Sequence, residues 1–436
     1  MERIKARELT PREHEEQERF MDAFAALPGR PALYCVVTYG CQMNERDSET
    51  IAGMFDRMGM RPSADRPEAD LVIFNTCCVR DNAERRALGN VTWLKELKRD
   101  KPDLLVAVCG CMMQQEGMGE KILRQYPFVD LAFGTRNLYR LPKLLYRRVN
   151  ERRRVVEVLR DGEETIPEDL PVRRANPHQA YVNIMYGCNN FCSYCIVPFV
   201  RGRERSRDSV RILREIRELV ESGVKEVMLL GQNVNSYGLD RAGEMSFAEL
   251  LAAADETGIP RIRFMTSHPK DISDELIAVM AGAKHVCHSL HLPAQHGSNR
   301  ILASMNRKYT REEYLEKVRK LREAIPDLAL STDLIVGYPG ETEEEFEETM
   351  ELAREVRYDS AFTFIYSPRA GTRAASMPDQ IPAEVSSRRI GELGAVQKES
   401  TREKLAAQIG AVQEVLTEGP CRRDPSRLAG KNEYNV

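Results

Sequence analysis

The stretch YVNIMYGCNNFCSYC, residues 181–195, decides the fold. It begins as a short apolar run, typical of a buried parallel strand, and ends in Cys188, Cys192 and Cys195, spaced as CxxxCxxC. Thiolates are soft ligands that suit iron–sulfur clusters or zinc. A four-iron cluster takes four ligands, so three cysteines would leave one iron open to a cofactor or substrate. A structural zinc site is the alternative, but zinc sites usually show paired CxxC units with four ligands.

Downstream of this motif, short apolar runs alternate with amphipathic segments. Strands are expected near 181–186, 225–231, 261–267, 285–291, 328–336 and 360–366. Helices are expected near 208–222, 246–257, 273–281, 310–324 and 342–356. Six such repeats predict a partial TIM-like (β/α)6 barrel with its chemistry at the carboxyl ends of the strands.

Upstream of the motif, a smaller α/β domain is expected at residues 31–147. Four continuously apolar runs (ALYCVV, ADLVIF, DLLVAV and FVDLAF) alternate with helical segments, which indicates an open parallel sheet covered on both faces. The other segments are expected to be a charged, solvated extension at 1–30, a linker at 148–173, the barrel core at 174–406 and a partial β-barrel at 407–436.

Cys41, Cys77 and Cys111 each follow one of the first three apolar runs of the upstream domain. In an open parallel sheet, ligands bind beyond the carboxyl ends of the strands, so three neighbouring strands would direct three thiolates to one point. Spacing alone leaves open the alternative that these are core cysteines. Four other cysteines are expected to be small buried residues: Cys35, Cys78, Cys109 and Cys287. Cys421 matches no motif.

Composition gives no global sign of nucleic-acid binding, because 64 basic and 67 acidic residues leave a formal net charge of −3. Any RNA contact must come from local basic patches. The chain has no apolar run of about 20 residues and no signal-type N-terminus, which predicts a cytoplasmic protein without membrane spans. Its eleven cysteines are then expected to be ligands, nucleophiles or core residues rather than disulfides.

The CxxxCxxC motif with Tyr194 before its last cysteine, on the first strand of a six-unit β/α series, resembles the radical SAM (S-adenosylmethionine) superfamily. The resemblance implies a [4Fe-4S] cluster on Cys188, Cys192 and Cys195, whose open iron chelates the amino and carboxylate groups of SAM. It also implies that an electron from the cluster splits SAM into methionine and a 5′-deoxyadenosyl radical.

Three segments upstream, TYGCQMNERDSE, FNTCCVR and VCGCMMQ, are similar to the N-terminal domain of the methylthiotransferase family. The resemblance implies that Cys41, Cys77 and Cys111 hold an auxiliary [4Fe-4S] cluster with one open iron, which carries sulfur that one SAM methylates. VPFVRGRERSR and YSPRAGTRAA are most like the members that act on tRNA. The expected reaction converts the C2–H of isopentenylated adenosine, just 3′ of the anticodon at position 37, to C2–SCH3, with a second SAM as the radical source.

Contacts to SAM are expected at the ends of two barrel strands. Gly231 permits close backbone approach, and Gln232 and Asn233 offer amide groups, although a plain Gly/Asn turn is the alternative. Thr332 and Asp333 are expected to face the SAM ribose. Three further candidates are weak, since core residues of these types are common: His291, His296 and Ser298.

The arginines that follow Cys195 are expected to bind the SAM carboxylate or tRNA phosphates, with a solvated charged face as the alternative: Arg201, Arg203, Arg205 and Arg207. Another basic group is expected to be a solvated helix end: Arg147, Arg148, Arg152, Arg153 and Arg154. The tail QEVLTEGPCRRDPSRLAG resembles the first strands of a TRAM domain, a small RNA-binding β-barrel.

The expected partners are tRNA and a low-potential electron donor, and the chain is expected to be a monomer. Three rivals remain. Two lie within the family: methylthiolation of a threonylcarbamoyl-modified adenosine and methylthiolation of a ribosomal-protein aspartate. The third is a non-catalytic iron–sulfur RNA-binding module, which the SAM-contact segments disfavour.

Overall fold

A computed structural model describes residues 7–78, 81–159, 165–421 and 423–436. Some predicted features lie outside these residues: Met1 to Ala6 of the extension, Val79 and Arg80 of the FNTCCVR segment, the acidic part of the linker at 161–164, and Arg422 of the tail. The chain divides into two compact units. The first comprises Met1–Ala175, Tyr186–Cys188 and Ile196–Arg205, and the second comprises Asn176–Met185, Asn189–Cys195 and Ser206–Val436.

A parallel sheet with the order β3–β2–β4–β5–β6–β7 forms the centre of the first unit. Its strands are β2 (Leu33–Thr38), β3 (Arg61–Pro62), β4 (Leu71–Thr76), β5 (Leu105–Gly110), β6 (Leu131–Phe133) and β7 (Val155–Glu157). Two short strands pair separately, β1 (Arg7–Glu8) with β8 (Thr165–Ile166). Every residue of β4 and β5 is buried, as a sheet covered on both faces requires.

Helices cover both faces of this sheet. They are α1 (Pro11–Ala25), α2 (Gln42–Arg57), α3 (Asp81–Asp100), α4 (Met118–Gln125), α5 (Leu141–Glu151) and α6 (Val197–Arg201). One apolar cluster contains Phe24 and Phe133, and the cluster on the opposite face contains Phe74 and Val108. The predicted open parallel α/β domain is therefore present, with more strands than the four expected.

Two segments outside the predicted domain belong to this unit, the charged N-terminus and part of the predicted linker. The charged N-terminus forms α1, where Thr10 and Glu13 make a capping box and Met21 and Phe24 are buried at helical spacing. A narrow apolar stripe was hidden by the high overall charge of the segment. In the predicted linker, β7 adds an edge strand to the sheet.

The basic residues near the end of α5 are also partly structural rather than uniformly solvated. Arg148 forms an ion pair of 2.7 Å with the buried Asp130. Arg154 donates hydrogen bonds to the carbonyl groups of Val129 and Tyr126. Arg153, in contrast, is exposed.

The second unit contains two three-stranded parallel sheets, β13–β12–β9 and β14–β15–β16. The strands from this half of the chain are β9 (Gln179–Asn183), β10 (Met185–Tyr186), β11 (Arg205–Ser206), β12 (Glu226–Leu230), β13 (Arg261–Phe264), β14 (Ser289–His291), β15 (Ala329–Val336), β16 (Ser360–Ile365), β17 (Leu416–Pro420) and β18 (Leu428–Lys431). An isolated parallel bridge joins Ile262 to Val286, and β17 pairs antiparallel with β18.

The remaining helices are α7 (Ser209–Glu221), α8 (Phe247–Asp255), α9 (Asp274–Gly282), α10 (Asn299–Ser304), α11 (Arg311–Ala324), α12 (Glu343–Val356) and α13 (Ala383–Ala406). The six predicted strands and five predicted helices of this region are all present, and α13 was not predicted. A large apolar cluster with Tyr314 and Tyr358 at its centre lies between strands and helices. Within the described residues, no helix is both long and apolar enough to span a membrane.

Candidate cluster and cofactor sites

Strand register brings the first group of cysteines to one edge of the sheet. Thr76 of β4 pairs with Gly110 of β5, so the residues that follow them, Cys77 and Cys111, leave adjacent strands side by side. Cys41 lies just beyond β2, the neighbour of β4 on the other side, at the N-cap of α2. The crevice beyond the strand ends is the position at which open α/β sheets bind ligands.

Two glycines allow these strand ends to approach one another. Gly40 has φ +146°, and a Cβ atom there would lie 2.8 Å from Cys77 Cβ. Gly110 has φ +94°, and its Cβ would collide with the carbonyl oxygen of Thr76. Because both positions combine a positive φ with no room for a side chain, glycine is required on either side of the thiol cluster.

Buried amides hold the Cys41 turn against the sheet. Asn44 donates a hydrogen bond of 3.1 Å to the side-chain oxygen of Asn75, and Asn75 donates back to the carbonyl of Asn44 at 2.8 Å and to Ser48 at 3.0 Å. The thiol of Cys41 contacts Asn44 Oδ1 at 3.5 Å. The network fixes the start of α2, and therefore Cys41, relative to β4.

Burial and charge differ among these thiols. Cys77 and Cys111 are buried, whereas Cys41 is exposed. Burial raises the pKa of the Cys111 thiol to about 12, and the nearby Arg201 guanidinium acts in the opposite direction. Cys41 and Cys77 also lie within electrostatic range of Cys111. A bound iron would overcome the cost of burial, since a coordinating thiol is deprotonated outright.

The donor set at this edge consists of three thiols, which are soft ligands. Among the residues that the structure describes, no three Cys, His, Asp or Glu side chains converge closely enough to hold one metal ion. In an iron–sulfur cluster each thiolate binds a different iron, so the sulfur atoms need not converge on one point. Three soft thiols at one sheet edge therefore fit the [4Fe-4S] cluster predicted for Cys41, Cys77 and Cys111.

The cysteines predicted to be core residues are buried: Cys35, Cys78, Cys109 and Cys287. Cys109 packs in the cluster on one face of the sheet and Cys111 in the cluster on the other. Burial raises the pKa of Cys109 well above its ordinary value.

Of the arginines after Cys195, three are buried. Arg201, in α6, donates from Nε to Cys111 Sγ at 3.1 Å and forms an ion pair of 2.7 Å with Asp47. Arg205 is buried and stacks 5.8 Å over the Tyr186 ring. Both guanidinium groups therefore make contacts within the protein, and binding of the SAM carboxylate or tRNA phosphates by either residue stays a prediction. Arg203 is the exposed member of the run.

Arg207 is buried as well, and it braces the second unit internally. Its guanidinium donates to the carbonyl of Asn183 at 2.5 Å and pairs with Glu215 at 2.9 Å. These contacts connect β9 to α7. Binding of the SAM carboxylate by Arg207 stays a prediction.

Cys188 lies in a turn of the first unit, and the position before it requires glycine. Gly187 has φ +73°, and a Cβ atom there would overlap the carbonyl of Arg203. The backbone N–H of Cys188 donates to the carbonyl of Gly202 at 3.1 Å. This segment is held by the backbone that follows α6.

Cys192 and Cys195 lie in one tight turn of the second unit, in which the N–H of Cys195 donates to the carbonyl of Cys192 at 2.9 Å. The sulfur of Cys192 accepts a hydrogen bond from Arg307 Nη1 at 3.5 Å. Tyr194 packs against a small apolar cluster that includes Ile301, and burial raises its pKa well above the ordinary value. Convergence of all three CxxxCxxC thiolates, and a SAM contact from Tyr194, stay predictions.

The predicted cofactor residues after β12 form a crowded polar turn. A side chain at Gly231 would lie 2.6 Å from Met185 Cγ, so this position has no room for one. Gln232 is half-buried. Asn233 is buried and donates to Asp271 at 2.7 Å, while its Oδ1 has no hydrogen-bond partner in the described part of the chain.

Further polar atoms near this turn escaped prediction. Asn235 Nδ2, Ser267 Oγ and His268 Nε2 are buried and lack hydrogen-bond partners among the described residues. Thr266 has φ +70°, a strained conformation for a β-branched residue. Burial, aided by Arg307, lowers the pKa of His268 and keeps its ring neutral.

Each buried polar atom without a partner costs about 1–3 kcal/mol. Their concentration after β12 and β13 fits a polar ligand that satisfies them, such as the amino-acid part of SAM. The sequence signal was present, because the segment MTSHP directly follows β13 just as GQN follows β12.

Thr332 and Asp333 are neighbours in one strand and differ in their surroundings. Successive residues of a strand point to opposite faces, and both lie in β15. Thr332 is fully buried, and its hydroxyl donates to the carbonyl of Leu292 at 3.0 Å. Asp333 is partly exposed and lies 3.6 Å from His291. A contact of either residue with the SAM ribose stays a prediction.

The weak candidates His296 and Ser298 belong to a buried network. His296 Nε2 lies 2.9 Å from Glu341, which also pairs with Arg389 at 2.7 Å. Ser298 donates to Glu345 at 3.2 Å. Their polar groups are satisfied within the protein, so the alternative of ordinary core residues is the better one.

Comparison with known families supports the division of the chain. Residues 182–353 match the model described as the Radical SAM superfamily, and residues 33–134 match a model described as Uncharacterized protein family UPF0004. The chain has the same general fold as the radical S-adenosylmethionine methyltransferase TsrM from Kitasatospora setae. The TM-score is 0.56 at 16% identity, over 79% of this chain and 74% of that one.

Curated relatives are far more similar. The tRNA-2-methylthio-N(6)-dimethylallyladenosine synthase of Clostridium tetani (strain Massachusetts / E88) is 52% identical over 92% of this chain and 88% of its own length. The protein of the same name from Thermoanaerobacter sp. (strain X514) is 50% identical over 98% of this chain and 91% of its own length.

Proposed function

The chain belongs to the tRNA-2-methylthio-N(6)-dimethylallyladenosine synthase family, and we propose that its two cysteine groups carry the chemistry of that activity. The enzyme is a radical SAM methylthiotransferase that uses two [4Fe-4S] clusters and SAM. It replaces the C2–H of N6-isopentenyladenosine in the tRNA anticodon loop with a methylthio group.

One observation carries the assignment of the sulfur-transferring site. Cys41, Cys77 and Cys111 follow three neighbouring strands in a chain whose other cysteine group has radical SAM spacing. When bound, the clusters and SAM supply the electron, the radical and the sulfur. General-base catalysis could not replace them, because an adenine C2–H has no useful acidity at neutral pH.

The protein side chains hold and orient these groups. Cys41, Cys77 and Cys111 bind the auxiliary cluster, and Cys188, Cys192 and Cys195 bind the other cluster. The polar atoms after β12 and β13 hold the amino-acid part of SAM, and Asp333 binds its ribose. The target base must leave its stack to reach the site, which a loop nucleotide can do at modest cost.

The finer architecture is also part of the proposal. The two three-stranded parallel sheets, linked by the Ile262–Val286 bridge, form one partial (β/α)6 barrel. The hairpin of β17 and β18 is the start of a TRAM-like barrel that contacts RNA. A low-potential electron donor serves the monomeric enzyme in the cytoplasm.

Mass spectrometry of tRNA tests the function. The chain is expressed in a bacterial strain that lacks its own enzyme of this family, next to the variants Cys111→Ala and Cys109→Ala. We expect the chain and Cys109→Ala to restore 2-methylthio-N6-isopentenyladenosine, and Cys111→Ala to leave the isopentenyl nucleoside without the methylthio group.

Other results would contradict the proposal. The substrate would be a different one if the methylthio group were found only on threonylcarbamoyl-adenosine or only on a ribosomal-protein aspartate. Full modification by Cys111→Ala would remove this thiol from the sulfur-transferring site.

A further inference from the structure

Arg201 and Asp47 form a buried ion pair in contact with Cys111. Arg201 Nη2 lies 2.7 Å from Asp47 Oδ2, and Arg201 Nε donates to Cys111 Sγ at 3.1 Å. Only 7% of the Arg201 side chain and 11% of the Asp47 side chain are exposed. Burial opposes the charge of Arg201, but Asp47 outweighs it and raises the pKa of Arg201, so the guanidinium is charged.

The backbone fixes the position of this guanidinium. The carbonyl of Arg201 accepts a hydrogen bond from Arg205 Nη2 at 3.2 Å, and the carbonyl of Val200 accepts one from Thr135 Oγ1 at 2.7 Å. Ile196 and Val200 of the same segment pack in the apolar cluster that contains Cys111. The helix end is therefore anchored to the first unit independently of the ion pair.

Stability alone is a poor explanation for such a pair. Replacing a buried ion pair with apolar residues of similar volume is often neutral or stabilising, because two charges must be taken out of water. The planar guanidinium can bind a carboxylate and still direct Nε at a third atom, which a lysine ammonium cannot do with the same geometry. The feature that makes arginine useful here is the N–H group directed at the sulfur.

We propose that Arg201, oriented by Asp47, is a positioning residue that raises the reduction potential of the auxiliary cluster through its N–H bond to Cys111. This inference rests on the proposed function, in which Cys111 is a cluster ligand. Reduction adds negative charge to the cluster and its thiolates, and a cationic donor stabilises that charge. Hydrogen bonds to the ligating sulfurs are a recognised determinant of such potentials.

The second cysteine group provides an internal comparison. Arg307 donates to Cys192 Sγ at 3.5 Å, but it also donates to Tyr309 at 3.0 Å and to the carbonyl of Pro293 at 2.9 Å. The sulfur that Arg201 contacts is that of Cys111, in the first unit. Substitution of Arg201 should therefore change the potential of the auxiliary cluster and leave that of the other cluster unchanged.

The test measures the reduction potential of the auxiliary cluster by anaerobic titration followed by electron paramagnetic resonance. It uses the full chain with alanine at Cys188, Cys192 and Cys195, so that one cluster remains. In that background the double variant Arg201→Met with Asp47→Asn removes both charges and leaves no unpaired carboxylate. Arg201→Lys keeps the positive charge but loses the planar guanidinium, which can contact Asp47 and Cys111 at the same time. Arg99→Met, at a side chain 77% exposed, is the matched control.

We expect a lower potential in the double variant, a smaller decrease in Arg201→Lys, and no change in Arg99→Met. Asp47→Asn alone should not lower the potential, because it removes a negative charge and keeps the donor. If Arg201 only stabilised the fold, its variants would show reduced thermal stability and an unchanged reduction potential of the auxiliary cluster. Equal potentials in Arg201→Lys and the reference would overturn the inference, whether or not the double variant folds.

The failure of this inference can be separated from the failure of the proposed function. A reference protein that binds no four-iron cluster after anaerobic reconstitution overturns the auxiliary cluster itself. A reference with a normal cluster and Arg201 variants of the same potential overturns only the role given to Arg201. The same titration of the chain with all six cysteines should show the second potential unaffected by Arg201→Lys.

Discussion

At the scale of single residues, the end of a strand separates a candidate ligand from a nearby core cysteine. Cys109 and Cys111 are two positions apart, yet Cys109 lies within β5 and packs in one core while Cys111 has passed the end of the strand. Only the residue beyond the strand reaches the crevice with Cys41 and Cys77. The position of a cysteine relative to the strand end, rather than its burial, decides its role.

The first prediction compares Cys111→Ala with Cys109→Ala. Cys111→Ala removes one cluster ligand, so bound iron should fall from about eight to about four per chain. Cys109→Ala removes a small core side chain and should retain about eight irons. Iron and sulfide assays on anaerobically reconstituted protein measure both. Equal iron contents in the two variants would show that Cys111 holds no cluster.

The second prediction concerns Ser267, whose buried hydroxyl lacks a hydrogen-bond partner among the described residues. Ser267→Ala should weaken SAM binding by about five- to tenfold, the value of one hydrogen bond, yet leave the stability of the SAM-free protein unchanged or higher. Equilibrium binding and thermal unfolding without SAM measure the two effects.

Ser222→Ala is the control, because this residue is exposed and its hydroxyl bonds the carbonyl of Leu219. It should leave SAM binding unchanged. A Ser267→Ala protein that binds SAM normally but is less stable would place this hydroxyl in the core rather than at the cofactor.

At the scale of elements, the turn before Cys188 depends on close backbone packing. Gly187→Ala introduces a Cβ atom that overlaps the Arg203 carbonyl at a positive φ, and should cost about 2–4 kcal/mol or displace the turn. Gly223→Ala is the matched control, since Gly223 has φ +86° with nothing within 4 Å, and should cost about 1 kcal/mol. Urea unfolding gives both values. Equal costs would mean that the packing against Arg203 is unimportant.

The start of α12 predicts a pH dependence. Burial alone would raise the pKa of Glu345, but hydrogen bonds from Arg300 and the Thr342 backbone outweigh it and lower the pKa from 4.5 to about 2. A carboxylate with a lowered pKa stabilises the fold above pH 4.5, and this contribution is lost as the pH falls toward 2.

Glu345→Gln retains the capping geometry and removes the charge. It should cost about 0.5–1 kcal/mol at pH 7, a modest value because Arg300 is largely exposed, and the cost should shrink below pH 4.5. Urea unfolding of both proteins from pH 7 to pH 3 measures this. A cost that stays constant over the whole range would contradict the lowered pKa.

Strands and helices with a clear pattern of apolar residues could be predicted from the sequence. Helices whose buried face contains few apolar residues were harder to predict. The strands β4 and β5 begin with runs of apolar residues, so their positions could be predicted from the sequence. The N-terminal segment was expected to be solvated and only partly helical, because the buried residues of α1 are few among many charges. Helix α13 was missed because it buries polar residues such as Arg389 and Gln397 beside Leu393.

The same limit applies to the sites. Cys41, Cys77 and Cys111 could be singled out from the sequence because each follows a strand. For the arginines after Cys195, the sequence did not indicate which side chains would be buried. Arg201 is buried beside Asp47, a residue far away in sequence that supplies a matching charge. Ser267 and His268 belong to no recognised motif, and their place after β13 gained meaning only from the missing partners of their buried atoms.

At the scale of the whole molecule, the account depends on two separate clusters in one chain, one to cleave SAM and one to deliver sulfur. Iron and sulfide quantification on anaerobically reconstituted full chain tests this most directly. We predict about eight irons, about four after alanine replaces Cys41, Cys77 and Cys111, and about four after alanine replaces Cys188, Cys192 and Cys195. About four irons in the unmodified chain, unchanged by loss of the first three cysteines, would contradict it.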